Sequence, residues 1–250
     1  MGSGKAVGII PARLAATRLP NKPLIDLGGK TMIQRVYERA QQTARLTDVF
    51  VATPDPEIFA AVEAFGGKAV MTSAAHRTGT DRVAEAASLL PADISVIVNI
   101  QGDEPLIDPA TVDAVAAALL DEPDTPSAAV MASLMAPLPE GREDDPNAVK
   151  VVCDSAGFAL YFSRAAIPYR RNPEVPYAPQ LHCGLYSYRR AFLAQMSSLP
   201  QTPLEQLEAL EQLRVLENGY RIRMVATHEA PESVDTPEDL ERVRTLLREN

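Results

Sequence analysis

The sequence predicts an α/β fold in which a mostly parallel, doubly wound sheet carries an inserted antiparallel region. Short apolar segments alternate with amphipathic segments through the first half of the chain, as in a sheet with crossover helices. Residues 96–100 form a continuous apolar run, which is typical of a central parallel strand covered on both faces. The second half is less regular. We therefore expect one domain over residues 1–250, with an insertion at about 135–200.

The elements of the first half follow from periodicity and from helix-capping residues. Met32, Ile33 and Val36 form a helical apolar stripe, and Asp55 precedes Pro56 in the manner of an N-cap. The strands are predicted at residues 7–10, 49–52, 68–71 and 96–100. The helices are predicted at residues 31–42, 56–65, 79–90 and 109–120.

The second half mixes strands, a hairpin and two helical segments. Strands are predicted at residues 128–135, 149–153, 158–163, 185–188 and 222–226. The second and third of these form a hairpin, and the proline-rich residues 168–179 form an exposed excursion. A helix begins near residue 190, and a closing helix covers residues 237–248. Residues 204–217 are predicted to form an amphipathic helix that buries one face, composed of Leu204, Leu207, Leu210 and Leu213.

Composition limits the classes of partner and the compartment. The net charge of -9 over 250 residues argues against a general nucleic-acid binder, which would show a basic face. The two cysteines, Cys153 and Cys183, are too few for a disulfide framework and fit no usual zinc spacing. The sequence contains neither a run long enough for a membrane span nor a signal sequence. We expect a soluble cytoplasmic protein without nucleic-acid or membrane partners.

Three cations lie on one irregular loop directly after the first predicted strand: Arg13, Arg18 and Lys22. In open α/β sheets, ligands bind outside the carboxyl ends of the strands. A guanidinium group can donate two hydrogen bonds at once to phosphate oxygens, and small residues let the backbone approach a ligand. The loop is therefore interpreted as a polyphosphate cradle, with a solvated basic loop as the alternative.

A second polar group follows the central strand. Asp103 and Glu104 come directly after the apolar run, on the same ligand-binding side of the sheet. A carboxylate opposite a phosphate-binding loop is suited to hold Mg²⁺ against a triphosphate, although both residues could simply begin a polar turn. Asp235 is the candidate partner acid. Local chemistry leaves open that Asp235 and Thr236 only cap the helix that begins at Pro237.

Several further motifs occur along the chain in a fixed order. They are IIPAR (9–13), TRLPNKP (17–23), HRTGT (76–80), VNIQGDEP (98–105), PNAVKVV (146–152), ALYFSR (159–164), HCGLY (182–186), LEQLRV (210–215) and VDTPEDL (234–240). With these motifs the chain resembles the 3-deoxy-D-manno-octulosonate (Kdo) cytidylyltransferases, or CMP-Kdo synthetases, over nearly its whole length. It departs from the family pattern at Thr31, at Arg77-Thr78 and at Cys183.

The resemblance implies a fold, a reaction and an assembly. The fold is that of the nucleotide-diphospho-sugar transferases, and the insertion serves sugar binding and dimerisation. The reaction transfers CMP from CTP to the anomeric hydroxyl of Kdo, giving CMP-Kdo and pyrophosphate for lipopolysaccharide biosynthesis. The implied cofactor is Mg²⁺, and the implied assembly is a homodimer.

The resemblance also implies the site residues. The catalytic residues are Arg13, Lys22, Asp103 and Asp235, the last two as metal ligands. The CTP-binding residues are Pro11, Ala12, Arg13, Arg18, Lys22, Thr72, Arg77, Gly79, Gln101 and Asp103. The residues that bind the sugar are Gln101, Arg164, His182, Tyr186, Glu211 and Gln212, with Arg164 holding the Kdo carboxylate.

The residues by themselves leave alternatives open. His182 could be a hydrogen-bonding residue between strands, Tyr186 could pack in an apolar strand, and Glu211 with Gln212 could form a solvated helix face. The acceptor could be sialic acid or 8-amino-Kdo, and less readily a sugar 1-phosphate for a uridylyltransferase. A catalytically silent sugar-nucleotide binder is the alternative from another class. Intact Arg13 and Asp103 argue against that alternative.

Overall fold

A computed structural model describes residues 4–15, 19–123, 125 and 127–249 of the chain. Within these ranges nine strands form one sheet with helices on both faces. The strands are β1 (Lys5–Pro11), β2 (Leu46–Thr53), β3 (Ala69–Met71), β4 (Ile94–Asn99), β5 (Met131–Pro137), β6 (Lys150–Cys153), β7 (Ala159–Ser163), β8 (Gln180–Arg189) and β9 (Ile222–Ala226). The helices are α1 (Met32–Ala40), α2 (Pro56–Ala64), α3 (Gly79–Ser88), α4 (Pro109–Leu120), α5 (Arg190–Met196), α6 (Pro203–Glu208), α7 (Gln212–Glu217) and α8 (Pro237–Glu249).

The sheet is mostly parallel, as predicted. Its order is β3-β2-β1-β4-β8-β5-β9, and the first four strands are parallel neighbours. β8 is antiparallel to both β4 and β5, whereas β9 is parallel to β5. β4 is the predicted apolar strand and lies at the centre of the sheet. The carboxyl ends of β1 and β4 therefore meet at one edge of the sheet.

The second half departs from the predicted strand boundaries. The strand predicted at residues 185–188 extends over Gln180–Arg189, because β8 pairs with β4 on one side and with β5 on the other. β5 begins at Met131 rather than at residue 128. The predicted hairpin is formed by β6 and β7, and β6 also pairs with the start of β8. The organisation as one domain with an insertion at about 135–200 stays a prediction.

The predicted single helix over residues 204–217 is wrong. The chain forms α6 and α7, separated by residues 209–211, and the φ of 50° at Ala209 lies in the left-handed region. Leu207 is 81% exposed, although the apolar spacing predicts burial. The physical reason is tertiary, because Glu205 and Arg214 form a buried bidentate ion pair across the break, with Nε donating at 2.7 Å. Gln212 is only 4% exposed, so the alternative of a solvated helix face is also wrong for that residue.

Apolar layers cover both faces of the sheet and complete the doubly wound arrangement. One layer joins α1, α2 and α4 to the sheet, and the other joins α3, α5 and α7 to the opposite face. A smaller cluster packs α8 against the segment after β1 through Leu19, Leu27, Met32, Val234, Leu240 and Val243. This third cluster holds the segment with Asp235 beside the loop that follows β1. Across the described ranges, every helix is too short or too polar to cross a membrane.

Candidate active site

A cavity of about 410 Å³ opens at the carboxyl ends of β1 and β4. Eight of the residues predicted to bind CTP or metal line it: Pro11, Ala12, Arg13, Lys22, Gly79, Gln101, Asp103 and Asp235. Arg18 lies outside the described residues. Thr72 is buried beside the cavity rather than among its lining residues, and Arg77 is exposed. The structure thus brings together most of the residues that the sequence assigned to the nucleotide.

The loop after β1 is held by neighbouring elements. The Ala12 amide donates to the Ala52 carbonyl at 2.9 Å, and the Leu14 amide donates to Asp55 Oδ2 at 2.7 Å. The backbone of Asn21 adopts a left-handed conformation with φ of 55° and leads into a short 3₁₀ helix, Lys22–Leu24. These contacts fix where the cations leave the backbone. Arg13 is exposed at the rim of the cavity, where it can reach a phosphate.

Gly102 allows the ends of β1 and β4 to approach closely. A Cβ atom at this position would lie 3.1 Å from the Pro11 carbonyl oxygen, which is tighter than an ordinary van der Waals contact. A larger residue would push Asp103 away from the loop after β1. The glycine between Gln101 and Asp103 is thus required by packing rather than by backbone conformation.

Arg82, which the sequence motifs did not single out, is a further cation that lines the same cavity. Its side chain is 3% exposed, and Nη1 donates to Thr72 Oγ1 at 2.7 Å and to the Ser73 carbonyl at 3.2 Å. Burial, with a smaller effect of the Arg13 charge, lowers the pKa of Arg82, but an arginine is still protonated at neutral pH. The sequence signal that could have identified Arg82 is its position in the first turn of the helix predicted at residues 79–90, because helix N-termini bind anions.

Lys22 lies between the two candidate metal ligands. Its Nζ donates to Asp103 Oδ2 at 2.7 Å and to Asp235 Oδ1 at 3.1 Å. A backbone hydrogen bond of 2.9 Å from the Val234 amide to the Asp103 carbonyl brings the two segments together. Both carboxylates therefore face one point in the cavity.

The alternative that Asp235 merely caps α8 is wrong. The capping contacts belong to Thr236 and Asp239: Thr236 Oγ1 accepts from the Asp239 amide at 3.2 Å, and Asp239 Oδ2 accepts from the Thr236 amide at 2.9 Å. This reciprocal arrangement satisfies the free amides of the first turn. The Asp235 carboxylate is thereby left free to face Asp103 and Lys22.

The donor set fits Mg²⁺ in its chemistry. Mg²⁺ prefers oxygen ligands and usually takes one or two carboxylates together with substrate phosphates and water. The described ranges contain no group of three or more His, Cys, Asp or Glu side chains arranged to hold a metal. Glu104 is 6% exposed, and burial, assisted by the Asp103 charge, raises its pKa to about 8. Glu104 is buried and is not among the residues that line the cavity, whereas the carboxylates of Asp103 and Asp235 line it.

A cluster of polar side chains surrounds His182, and we call it the acceptor cluster: His182, Tyr186, Glu211 and Gln212. Gln212 Nε2 lies 3.4 Å from His182 Nδ1, and the His182 and Tyr186 ring centroids are 5.6 Å apart. β8 supplies two of its members, and the start of α7 supplies the other two. The break before α7 thus brings Glu211 and Gln212 to the face of β8.

Two contacts join the acceptor cluster to the cavity. Thr80 Oγ1 donates to Glu211 Oε2 at 3.2 Å, and Thr80 follows the cavity residue Gly79. On the other side, Gln101 Nε2 donates to the Gly184 carbonyl at 2.9 Å. The two predicted sites are therefore neighbours, with Gln101 at their boundary.

Burial shifts the pKa values of three acceptor-cluster side chains toward their uncharged forms. It lowers the pKa of His182 to about 4 and raises the pKa of Glu211 and of Tyr186 above their usual values. His182 Nε2 also lies 3.0 Å from Ser133 Oγ on β5, so the alternative of a hydrogen bond between strands holds for that nitrogen. Hydrogen-bond donors and acceptors at fixed positions are suited to the hydroxyl groups of a sugar.

Arg164 lies apart from the acceptor cluster in its hydrogen bonding. Its Nε donates to the Glu208 carbonyl at 2.7 Å and its Nη1 to the Pro146 carbonyl at 2.7 Å. Nη2 lies 3.5 Å from the Ala209 carbonyl. The guanidinium group thus satisfies the carboxyl end of α6, a common use of arginine near a helix end. The predicted contact of Arg164 with a substrate carboxylate stays a prediction.

Lowering the pH from 7 to 4 is expected to destabilise the protein through His182. The pKa is about 4 in the folded protein and about 6.5 in the unfolded chain, so the unfolded chain binds more protons in this window. The free energy of unfolding should fall by about 1–3 kcal/mol more in the parent than in His182→Gln. Urea unfolding of both proteins across this range measures the difference, and parallel pH profiles would contradict it.

Comparisons with known proteins show which family this chain resembles. A family model described as Cytidylyltransferase matches residues 7–222. The 3-deoxy-manno-octulosonate cytidylyltransferase of Solibacter usitatus (strain Ellin6076) is 52% identical over 247 residues, covering 98% of this chain and 95% of the relative. The enzyme of the same name from Syntrophotalea carbinolica is 52% identical over 249 residues, covering 96% and 97%.

A solved structure extends the comparison to the fold. CMP:2-keto-3-deoxy-manno-octonic acid synthetase, complexed with CTP, matches with a TM-score of 0.92 and 44% identity, covering 98% of this chain and 99% of that one. This likeness confirms the expected fold of the nucleotide-diphospho-sugar transferases. Together with the full-length relatives, it establishes that the chain belongs to the cytidylyltransferase family, among the 3-deoxy-manno-octulosonate cytidylyltransferases.

Proposed function

We propose that the protein transfers the CMP group of CTP to the anomeric hydroxyl of Kdo, giving CMP-Kdo and pyrophosphate. The observation that carries the proposal is the convergence of Asp103, Asp235 and Lys22 in a cavity that adjoins the acceptor cluster. The carboxylates and cations suit a triphosphate, and the cluster suits a polyhydroxylated acceptor. The relatives named above carry this activity in their names.

The cations of the cavity bind and orient the triphosphate. Arg13 and Lys22 line the cavity beside the loop after β1, and Arg82 lines its other side from α3. Their charges offset the repulsion between phosphates and hold the α-phosphorus in one orientation. Arg18 is also assigned to the phosphates of CTP. The cytosine base is recognised largely by backbone groups around residues 71–73 and Gly79, where a strand end presents donors and acceptors.

Asp103 and Asp235 hold the cofactor, which is Mg²⁺ in this proposal. Mg²⁺ at this position supplies charge neutralisation for the phosphates and a lower pKa for the attacking hydroxyl. The two carboxylates are 29% and 45% exposed in their side chains, so a cation can reach them from the cavity.

The acceptor cluster positions Kdo for attack. Its members bind hydroxyl groups, and Arg164 is assigned to the Kdo carboxylate. The anomeric oxygen forms a bond to the α-phosphorus while the bond from that phosphorus to the bridging oxygen breaks, and pyrophosphate leaves in line. The proton of the attacking hydroxyl is released to solvent water. The chain's own contribution is alignment, because phosphoryl transfer needs little covalent assistance.

The compartment, the oligomeric state and the pathway of the enzyme belong to the same proposal. It acts in the cytoplasm as a homodimer and supplies CMP-Kdo to lipopolysaccharide biosynthesis. The exposed Tyr169, Val175 and Tyr177 of the proline-rich excursion offer apolar surface to a second copy.

The test is pyrophosphate release from CTP and Mg²⁺ with Kdo, 8-amino-Kdo or sialic acid in separate reactions. We expect the highest kcat/KM with Kdo and no turnover when the cation is chelated. Turnover only with another acid would overturn the acceptor assignment while leaving the nucleotide chemistry. CTP binding without turnover on any acid would favour a silent binder.

A further inference from the structure

One ammonium group spans both candidate metal ligands. Lys22 Nζ donates to Asp103 Oδ2 at 2.7 Å, a distance typical of a charge-assisted hydrogen bond, and to Asp235 Oδ1 at a longer 3.1 Å. The Lys22 side chain is 14% exposed, so it is largely shielded from water. At such a site an ion pair is weakened less by salt than it would be on an open surface.

The backbone fixes this position of Lys22. The Lys22 amide donates to the Leu19 carbonyl at 3.2 Å, and the Ile25 amide donates to the Lys22 carbonyl at 3.2 Å. Leu19 is 8% exposed and belongs to the apolar cluster that also contains Val234. The same apolar cluster therefore holds the backbone segments that carry Lys22 and Asp235. The contact between the ammonium group and the two carboxylates is thus part of the folded structure of the cavity.

We propose that Lys22 is an internal counter-ion that lowers the affinity of Asp103 and Asp235 for a free divalent cation. A cation that binds these oxygens must displace the ammonium group, because both positive charges would require the same carboxylates at close range. A triphosphate offers Lys22 other anionic partners in the same cavity. Binding of CTP draws Lys22 away from the two carboxylates, which favours binding of the cation. Binding of the cation moves Lys22 toward the triphosphate, which favours binding of CTP. The two ligands therefore bind cooperatively.

This inference rests on the proposed function, because it assumes that CTP and a divalent cation share this cavity. It also predicts the order in which the cation and CTP bind. The protein without nucleotide binds the cation weakly, and the cation enters chiefly together with CTP. Lys22 thus has two partners in turn, the carboxylates and the triphosphate.

The test measures Mn²⁺ binding to the protein without nucleotide, by the electron paramagnetic resonance signal of free Mn²⁺. Lys22→Gln removes the competing charge and keeps a polar side chain of similar length. We expect it to bind Mn²⁺ about tenfold or more tightly than the parent. Lys22→Met is a second variant, in case the amide makes a new contact with a carboxylate. In the double variant Lys22→Gln/Asp103→Asn the gain should be lost, which assigns the Mn²⁺ to this site.

The matched control is Lys5→Gln. Lys5 pairs with Asp93 at the beginning of β1, whereas the cavity opens at the carboxyl end of that strand. Its Mn²⁺ affinity should equal that of the parent. Equal or weaker Mn²⁺ binding by both Lys22 variants, with circular dichroism like that of the parent, would overturn the counter-ion role. Pyrophosphate release by the parent is a separate measurement, so failure of the proposed function would be distinguished from failure of this inference.

Discussion

Asp103→Asn is expected to lower kcat for pyrophosphate release about a hundred- to a thousandfold, the loss typical of removing one electrostatic contact to a reacting group. The amide keeps the shape of the side chain but removes the negative charge that faces Lys22 at 2.7 Å. Without that charge the pair with Asp235 holds a divalent cation poorly. Initial rates at saturating CTP and Kdo measure the effect, and raising the Mg²⁺ concentration should recover part of the lost rate because the weakened cation site then fills more.

The matched control is Asp144→Asn, because Asp144 is exposed and lies outside the cavity lining. It carries the same chemical change and should leave kcat unchanged. Circular dichroism of Asp103→Asn should match that of the parent, since the Val234 contact uses the Asp103 backbone carbonyl rather than its side chain. A folded Asp103→Asn protein with the parent kcat would exclude Asp103 from the metal site.

Arg214→Met is expected to lower the free energy of unfolding by about 3–5 kcal/mol, because it leaves the Glu205 carboxylate buried without its partner. Arg214 donates from Nε to Glu205 Oε2 at 2.7 Å and from Nη2 to Oε1 at 2.5 Å, and the residues are 8% and 5% exposed. The melting temperature should fall by about 10 °C for a chain of this size. Differential scanning calorimetry and urea unfolding measure both quantities.

The double variant Glu205→Met/Arg214→Met separates the cost of an unpaired charge from the value of the ion pair. Replacing both partners by apolar side chains leaves no buried charge, so we expect the double variant to be more stable than Arg214→Met. A double variant less stable than either single variant would show that the pair contributes net stability. The KM for Kdo reports whether the acceptor cluster is disturbed, because Glu211 and Gln212 lie three and two residues before Arg214.

The first half of the fold could be predicted because its signals are local. The apolar run that became β4 and the start of α2 at Pro56 depend on a few neighbouring residues, although the Asp55 carboxylate accepts from the Leu14 amide instead of capping α2. The loop with Arg13 and Lys22 also follows from local order, since residues directly after a parallel strand lie at the ligand-binding edge. Asp103 was found by the same argument.

The second half was harder to predict because pairing and burial decided its boundaries. β8 reaches its full length only because β4 and β5 flank it, so a strand predicted from residues 185–188 was too short. The leucine spacing over residues 204–217 indicated one helix. The left-handed Ala209 and the buried Glu205 carboxylate required two helices, which no local periodicity could reveal.

The sequence by itself determined the order of the parallel elements, the cationic loop and the position of Asp103, because periodicity, capping and strand ends act over short distances along the chain. Only the tertiary structure decided that Asp235 faces Asp103 through Lys22 and that Arg82 lines the same cavity. It also left the capping role to Thr236 rather than Asp235. These outcomes depend on the sheet order and on packing between distant segments, which bring together side chains that are far apart in the chain.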